Sequence, residues 1–564
     1  MTKRFAKSRM FGLCLGLSLG ISIYTSQVLA LADSETIQSY VSRNVTVPLI
    51  KPSWGDFILH SSTLNKLYLQ RSYAPIWVTR EGVPHSLGVR LKEKLQKASE
   101  HGLSDGDYWD ASLEERFQAA LKNPRNWITY ELAATEALIR YADHLSNGRF
   151  DPDLIDSDIK FKKRDFNDFQ LLNTIVNAGE SFLSIGLDRL APRHPRYADL
   201  RQALKDLRAQ YAQGGWATIH SPGFALKLGV SDPVIMKLRE RFNGLGYRVS
   251  YTGGNLFDSE FDEVVRRYQS LNGLATDGII GVRSEVLRSV NNSIAQRVTQ
   301  VEVTMEKLRW LPQDIESRHV FINLATSEFQ AFENNRTTFN FKTVVGQPFR
   351  RTPSMRDTIT FVNLNPYWTI PRSITIKDKL PILKQDYRYL ERHNMILLSE
   401  ATDRPVDPST VNWNQMSQQN FPYYIRQLPG PDNALGVVKF PLQNPWAIYL
   451  HDTNEKNLFE EGKRHRSSGC IRLEEPLEFA AYLLADQQGW SLPQIQNFVP
   501  MRVGQAAGQL DKRVTLKRAM PVYTLYLTVE KSADGVLRFV EDIYGQDARV
   551  NKALQNKKVN NELF

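Results

Sequence analysis

Cysteine is almost absent from this chain: its 564 residues contain two, Cys14 and Cys470. That scarcity excludes a disulfide-stapled fold. Long apolar runs are missing too. The one marked apolar stretch, Met10 to Tyr24, is too short and wrongly flanked for an ordinary spanning helix. From Asp33 to Gly223 there is no cluster with metal-ligand spacing and no carboxylate pair with a mechanism. What is present is apolar: 42% hydrophobic and 10% aromatic residues exclude a disordered chain. The length exceeds a single core and predicts roughly three to four units.

The first residues read as an export signal. Lys3, Arg4, Lys7 and Arg9 form a basic start without an acid, and Ala30-Leu31-Ala32 before Asp33 is an A-x-A cleavage site. Residues 1–32 are therefore expected to leave as a signal peptide. Retention as an uncleaved anchor, with inner-membrane association, is the alternative. Leu13 before Cys14 argues against lipidation. Loss of the four cations lowers the formal charge from +10 to +6. A basic exported chain suits a polyanionic envelope polymer or membrane face, although solubility explains the charge equally well. Cys470 is then the one thiol of the mature chain, in an oxidising compartment, with no intramolecular partner. A lone buried cysteine is the plain reading until its neighbours are considered.

The expected fold class is α+β and multidomain. Residues 33–225 read as a helical scaffold, with Leu138, Tyr141, Ala142 and Leu145 at helical spacing before a stop at Asn147-Gly148. Its function is not legible, and a scaffold or partner-binding role is favoured. Residues 229–292 form a compact helical unit. Val234 to Phe242 leads to Leu245-Gly246-Tyr247, Phe261 to Leu271 carries Val264, Val265 and Tyr268 on one face, and Ser284 to Leu287 closes it. Residues 300–564 turn to strands, with a core at about 318–500. His319–Leu324, Thr343–Gly346, Thr358–Leu364, Val437–Phe440 and Trp446–Leu450 are β-rich. Residues 377–421 read as a helical, polar insertion, 474–487 as a helix directly after the cysteine, and Asp534-Gly535 as a hairpin turn between Val522–Glu530 and Gly535–Glu541. Whether the strands close into a barrel or a sandwich is not derivable at this point.

Cys470 has the surroundings of a nucleophile. Ser467-Ser468-Gly469 before it permits a tight turn, a following helix dipole would favour a thiolate, and Arg472 adds charge. His451 ends a strand and is the candidate base. Tyr449 shares its face by alternation and could donate to an oxyanion. His465, five residues before the cysteine, is the rival base, set in the basic run Lys463-Arg464-His465-Arg466 that reads as solvated or substrate-facing. Asp452 could orient His451 through its carboxylate or its carbonyl; the residues leave this open.

Two resemblances enter on these residues. The unit at 229–292 resembles the small three-helix peptidoglycan-binding domain, departing from its pattern at Ser284 and Tyr268. Tyr449-Leu450-His451-Asp452-Thr453 with Ser467-Ser468-Gly469-Cys470-Ile471-Arg472 resembles the two halves of the YkuD-type L,D-transpeptidase motif, departing at Ser468, where many members carry a second histidine. Gln427 to Gly436 and Pro366-Tyr367-Trp368-Thr369-Ile370-Pro371 resemble family stretches, the latter a substrate-facing strand. The order of parts resembles the YcbB-type enzymes of Gram-negative bacteria.

The resemblance implies a mainly-β catalytic domain acting in the periplasm on peptidoglycan tetrapeptide stems, both donor and acceptor, while the small domain holds the polymer. It further implies a thioester on Cys470, proton transfer by His451, and oxyanion support from the Gly469 and Cys470 N–H groups with Tyr449. Ser468 and Asp452 would support the site, and Arg472 and Trp368 would contact substrate, a buried structural Arg472 being the alternative. D-alanine release, a 3→3 cross-link and acylation by carbapenems follow from the same source. No metal, organic cofactor or nucleic acid is implied. A carboxypeptidase or a protein–peptidoglycan ligase would use the same residues. Papain-like and NlpC-like peptidases place cysteine before histidine, and a non-catalytic wall-binding protein is disfavoured by an intact His451–Cys470 pair.

Overall fold

The computed structural model describes residues 36–39, 41, 61–161, 169–499 and 511–555. The expected signal peptide, residues 1–32, lies outside the described residues. No helix among the described residues is long and apolar enough to cross a membrane.

Helices dominate up to residue 212. Trp127–Asn147 is the central one. Leu138, Tyr141, Ala142 and Leu145 on it are fully buried, and Gly148 ends it at φ +84°. Pro195–Ala212 and Ile294–Arg309 pack beside each other. One apolar core runs from these helices to Leu525, Leu527 and Val529 near the C-terminus.

A compact unit of three helices follows, Val234–Gly244, Ser259–Leu271 and Glu285–Val290. Phe242, Tyr247, Phe261 and Tyr268 meet edge to face in its core. Both departures from the domain pattern are accommodated. Ser284 accepts from the Leu287 N–H as an N-cap at 3.2 Å, and the Tyr268 hydroxyl reaches Ser289 Oγ. The unit is fastened to the C-terminal part of the chain. Val536 enters its core, Asn272 Oδ1 accepts from the Phe539 N–H at 3.0 Å, and Lys463 bridges Glu285 and Glu541. Gly462 passes so close that a Cβ there would sit 2.7 Å from the Leu274 carbonyl.

The remainder is β-rich. Its strands are β1 (Ile159–Lys160), β2 (His319–Asn323), β3 (Glu328–Glu333), β4 (Arg336–Gly346), β5 (Ser354–Leu364), β6 (Trp368–Thr369), β7 (Met395–Ser399), β8 (Pro405–Val406), β9 (Tyr423–Gln427), β10 (Val438–Phe440), β11 (Leu450–His451), β12 (His465–Ser467), β13 (Ile471–Leu473), β14 (Lys512–Leu525), β15 (Val529–Lys531) and β16 (Leu537–Phe539). The main sheet runs β5-β10-β11-β13-β4-β3-β2-β14, and β14 pairs again with β5, so the strands close into a barrel. Val320, Ile322, Val438, Phe440, Leu450 and Ile471 fill it. Closure removes sheet edges on this path.

Three expectations are corrected. The insertion at 377–421 is not simply helical: after Leu380–Leu383 and Tyr389–Arg392 it forms β7 and β8, which join β9 and β6 in a separate four-stranded sheet. The apolar run Met395-Ile396-Leu397-Leu398 drives this, because it seats Met395 and Leu397 in a local core with Ile370, Leu383, Trp413 and Ile425. Trp446 to Tyr449 is not strand. Ala447 stands at φ +54°, which breaks the ladder before β11. Val522 to Leu525 belongs to β14 in the barrel; the hairpin around Gly535 joins only β15 and β16.

Candidate active site

Alternation builds the site. On β10, β11 and β13, Val438, Phe440, Leu450, Ile471 and Leu473 point into the barrel core. The intervening Lys439, His451 and Arg472 therefore share the outer face. Register sets them in a row, Lys439 opposite His451 and His451 opposite Arg472. Cys470 immediately precedes β13, and Tyr449 immediately precedes β11. Above this face the inserted sheet and its helices enclose a cavity of about 590 Å³, into which Cys470, His451, Tyr449, Arg472, Ser468 and Trp368 all face. Asp452 and Gly469 do not line it.

The nucleophile loop is tied at each turn. Gly469 has φ +117°, a region side-chain-bearing residues rarely adopt. Its N–H donates to Ser467 Oγ at 3.1 Å, and its carbonyl accepts from Thr352 Oγ1 at 2.7 Å. Ser467 Oγ donates in turn to the Cys470 carbonyl at 2.5 Å. The Gly469 N–H is therefore spent within the loop, which corrects its expected place in an oxyanion hole. The Tyr449 backbone N–H and phenol face the Cys470 thiol instead.

The expected helix dipole behind Cys470 is also corrected. The residues after it are β13, held between β11 and β4, and the helix starts only at Pro476. A helix terminus acts within its first turn, so it does not reach this thiol. Burial pushes the Cys470 thiol up. The Tyr449 N–H, Lys439, the Tyr449 hydroxyl and Arg472 pull against it. Burial likewise raises Tyr449 far above the usual phenol value, so its O–H remains a donor.

His451 is buried and held down at about 3, first by desolvation and then by Arg472 and Lys439. It is neutral at ordinary pH and able to accept a proton. The carbonyls of Asp452 and Leu435 face the ring and favour its charged form, yet Nδ1 is buried without a hydrogen bond of normal geometry. The Asp452 carboxylate is engaged elsewhere: Oδ2 accepts from Val437 N–H at 2.9 Å, and Oδ1 accepts from Thr453 N–H at 2.7 Å and pairs with Lys456. It anchors the Asn433–Val437 loop and does not orient the imidazole.

His465 does not line the cavity. Its Nε2 lies 3.0 Å from the Leu324 carbonyl, and its ring stands edge-on to Tyr544. The basic run around it is solvated only in part: Arg466 is exposed, as expected, while Arg464 and His465 are not. Arg464 is buried and donates to the carbonyls of Thr343, Glu461, Thr326 and Ser327. Arg464 thus satisfies buried loop carbonyls, a role that charge in sequence cannot reveal.

At the cavity rim, Arg350 pairs with both oxygens of Asp378 at 2.6 and 2.7 Å and donates to Ser468 Oγ at 3.0 Å. Arg472 pairs with Glu455, and a Trp368 side-chain hydrogen bond favours the ionised form of Tyr449. Sequence reasoning missed Lys439, Arg350 and Thr352, since each acts across more than a hundred residues or from an adjacent strand. Among the described residues, no group of three or more His, Cys, Asp or Glu could hold a metal ion.

The family model described as the L,D-transpeptidase catalytic domain matches residues 317–503. The "Putative peptidoglycan binding domain" model matches 231–283, and a model described as a scaffold domain matches 62–204. A Haemophilus influenzae protein named "Putative L,D-transpeptidase" is 30% identical over 265 residues, 47% of this chain and 51% of the relative. The chain thus matches about half the length of that relative. A solved L,D-transpeptidase from Xylanimonas cellulosilytica shares 12% identity and a TM-score of 0.17, covering 54% of this chain and 98% of its own.

Proposed function

We propose, from the premise that this chain carries an L,D-transpeptidase catalytic domain together with a peptidoglycan-binding domain, that it forms 3→3 cross-links between peptidoglycan stems. The observation that carries the reading is the convergence of Cys470, His451 and Tyr449 on one cavity.

In the proposed reaction, the Cys470 sulfur attacks the carbonyl of the third residue of a tetrapeptide stem, a diaminopimelate joined to terminal D-alanine. Neutral His451 takes the thiol proton as the S–C bond forms. The Tyr449 hydroxyl and backbone N–H stabilise the oxyanion. The C–N bond to D-alanine then breaks, its nitrogen receives the proton from His451, and a thioester remains. A side-chain amine of a second stem attacks the thioester, His451 accepts the amine proton as the C–N bond forms, the C–S bond breaks, and the leaving sulfur takes that proton back to restore the thiol. Export to the periplasm gives the enzyme access to its substrate, and carbapenems are expected to acylate the same thiol. Trp368 forms a wall against the donor stem. Arg472, already paired with Glu455, acts mainly on the charge of the site.

The test is incubation of purified protein with disaccharide-tetrapeptide, followed by mass spectrometry. Cross-linked dimer, free D-alanine and an acyl adduct on Cys470, all lost in Cys470→Ala, are expected. D-alanine release without dimer would replace the reading with a carboxypeptidase. Equal behaviour of wild type and Cys470→Ala would end it.

A further inference from the structure

Lys439 stands beside the reacting thiol with no carboxylate partner. It is largely buried on the outer face of β10, opposite His451. Among the described residues its ammonium makes no ion pair or hydrogen bond. Its Nζ lies 3.7 Å from the centroid of the Tyr449 ring. A desolvated ammonium without a counter-ion is unfavourable, and a ring face offsets only part of that cost. Perturbed charges of this kind cluster at functional sites.

The groups that face it come from three sides. Cys470, Tyr449, His451 and Arg472 lie toward β11 and β13, and Asp511 lies before β14. Asp511 is not close enough to pair; its Oδ1 accepts from Asn363 Nδ2 at 3.0 Å. Arg472 also acts on the thiol, but it is paired with Glu455. Lys439 is therefore the cation acting on Cys470 that, among the described residues, no carboxylate pairs.

We propose that Lys439 is a positioning residue of this site: its ammonium clamps the Tyr449 ring so that the phenol faces Cys470, and its charge draws the thiol toward the thiolate. It thus does the work that a helix terminus would do if one followed the cysteine. Burial raises the thiol, and Lys439 is the largest side-chain influence opposing that rise. The role in acyl transfer rests on the function proposed above; the effect on the thiol does not.

The experiment measures the rate of Cys470 alkylation by iodoacetamide from pH 5 to 10, read by mass at Cys470 in the full chain. Lys439→Met keeps most of the aliphatic stem and removes the charge. It is expected to raise the apparent thiol pKa by about one unit and slow alkylation at neutral pH by about tenfold. Lys439→Arg should restore most of the wild-type profile. Circular dichroism and melting confirm folding, and Lys439→Gln replaces the methionine variant if that one does not fold. A wild-type profile in a folded, charge-free variant overturns the proposal, as does lowered stability with an unchanged profile. If wild-type protein makes no dimer yet the profile shifts in Lys439→Met, the transpeptidase reading fails and the role of Lys439 stands.

Discussion

Replacing Thr352 with valine keeps the shape of a buried side chain and removes one hydroxyl. That hydroxyl donates to the Gly469 carbonyl at 2.7 Å and accepts from the Gly346 N–H at 2.9 Å. The residue is 2% exposed, so water cannot take over either bond. Valine therefore leaves one acceptor and one donor unpaired, at about 1–3 kcal/mol each. Partial relaxation of the loop should leave a net cost of about 2 kcal/mol. The cost falls on the segment that presents the nucleophile, because the two bonds join the end of β4 to Gly469. Hydrogen exchange read by mass spectrometry suits this better than a global melt, since a chain of several units need not unfold in one step. Peptides covering 344–352 and 467–471 should exchange about 30-fold faster in Thr352→Val, that free energy expressed as an opening constant, while peptides from the three-helix unit stay unchanged. Exchange within twofold of wild type at both segments would refute the argument that Thr352 holds the loop.

Two further outcomes are expected. Gly436 has φ +59°, and a Cβ there would lie 2.2 Å from Asp452 Oδ2; Gly489 has φ +89° with open space around it. Gly489→Ala should cost about 1 kcal/mol of backbone strain, and Gly436→Ala roughly 2–4 kcal/mol because it also displaces the carboxylate; equal urea midpoints would contradict this. His101, His194, His451 and His465 are all held by burial well below 6.5, at about 4, 3, 3 and 4. Their unfolded forms bind protons first, so stability should fall as pH drops from about 6.5 toward 4. His465→Asn should flatten that fall in a pH series of melting temperatures, and an unchanged slope would refute the assignment.

Much of the site was legible because the chemistry sits in two short contiguous stretches. His451, Tyr449 and Cys470 are separated by only 21 residues, and β11 and β13 are direct neighbours. What failed had local causes. Met395 to Leu398 is four apolar residues, too short to distinguish helix from strand. Ile471-Arg472-Leu473 is shorter still, so in the sequence the strand after the cysteine merges with the helix beyond it. The sequence leaves Asp452 between two roles because its partner Val437 lies 15 residues back along the chain. Lys439 carries no local signal, since its meaning arises only when β10 lies beside β11. Barrel closure depends on β14, which pairs with β5 and β2 from about 150 and 200 residues away.

The attachment of the three-helix unit has a consequence for a repeating substrate. Val536 within its core, Asn272 on the Phe539 amide and Gly462 against Leu274 leave it little freedom to swing. Residue 462 also lies eight positions before Cys470. On the proposed function, one part of the chain grips a periodic polymer while another reacts with it, and the span between them is set by packed side chains. Such a body acts as a gauge. On that function it would select stems by their phase along the strand relative to the grip, and a glycan out of step would be held without being joined.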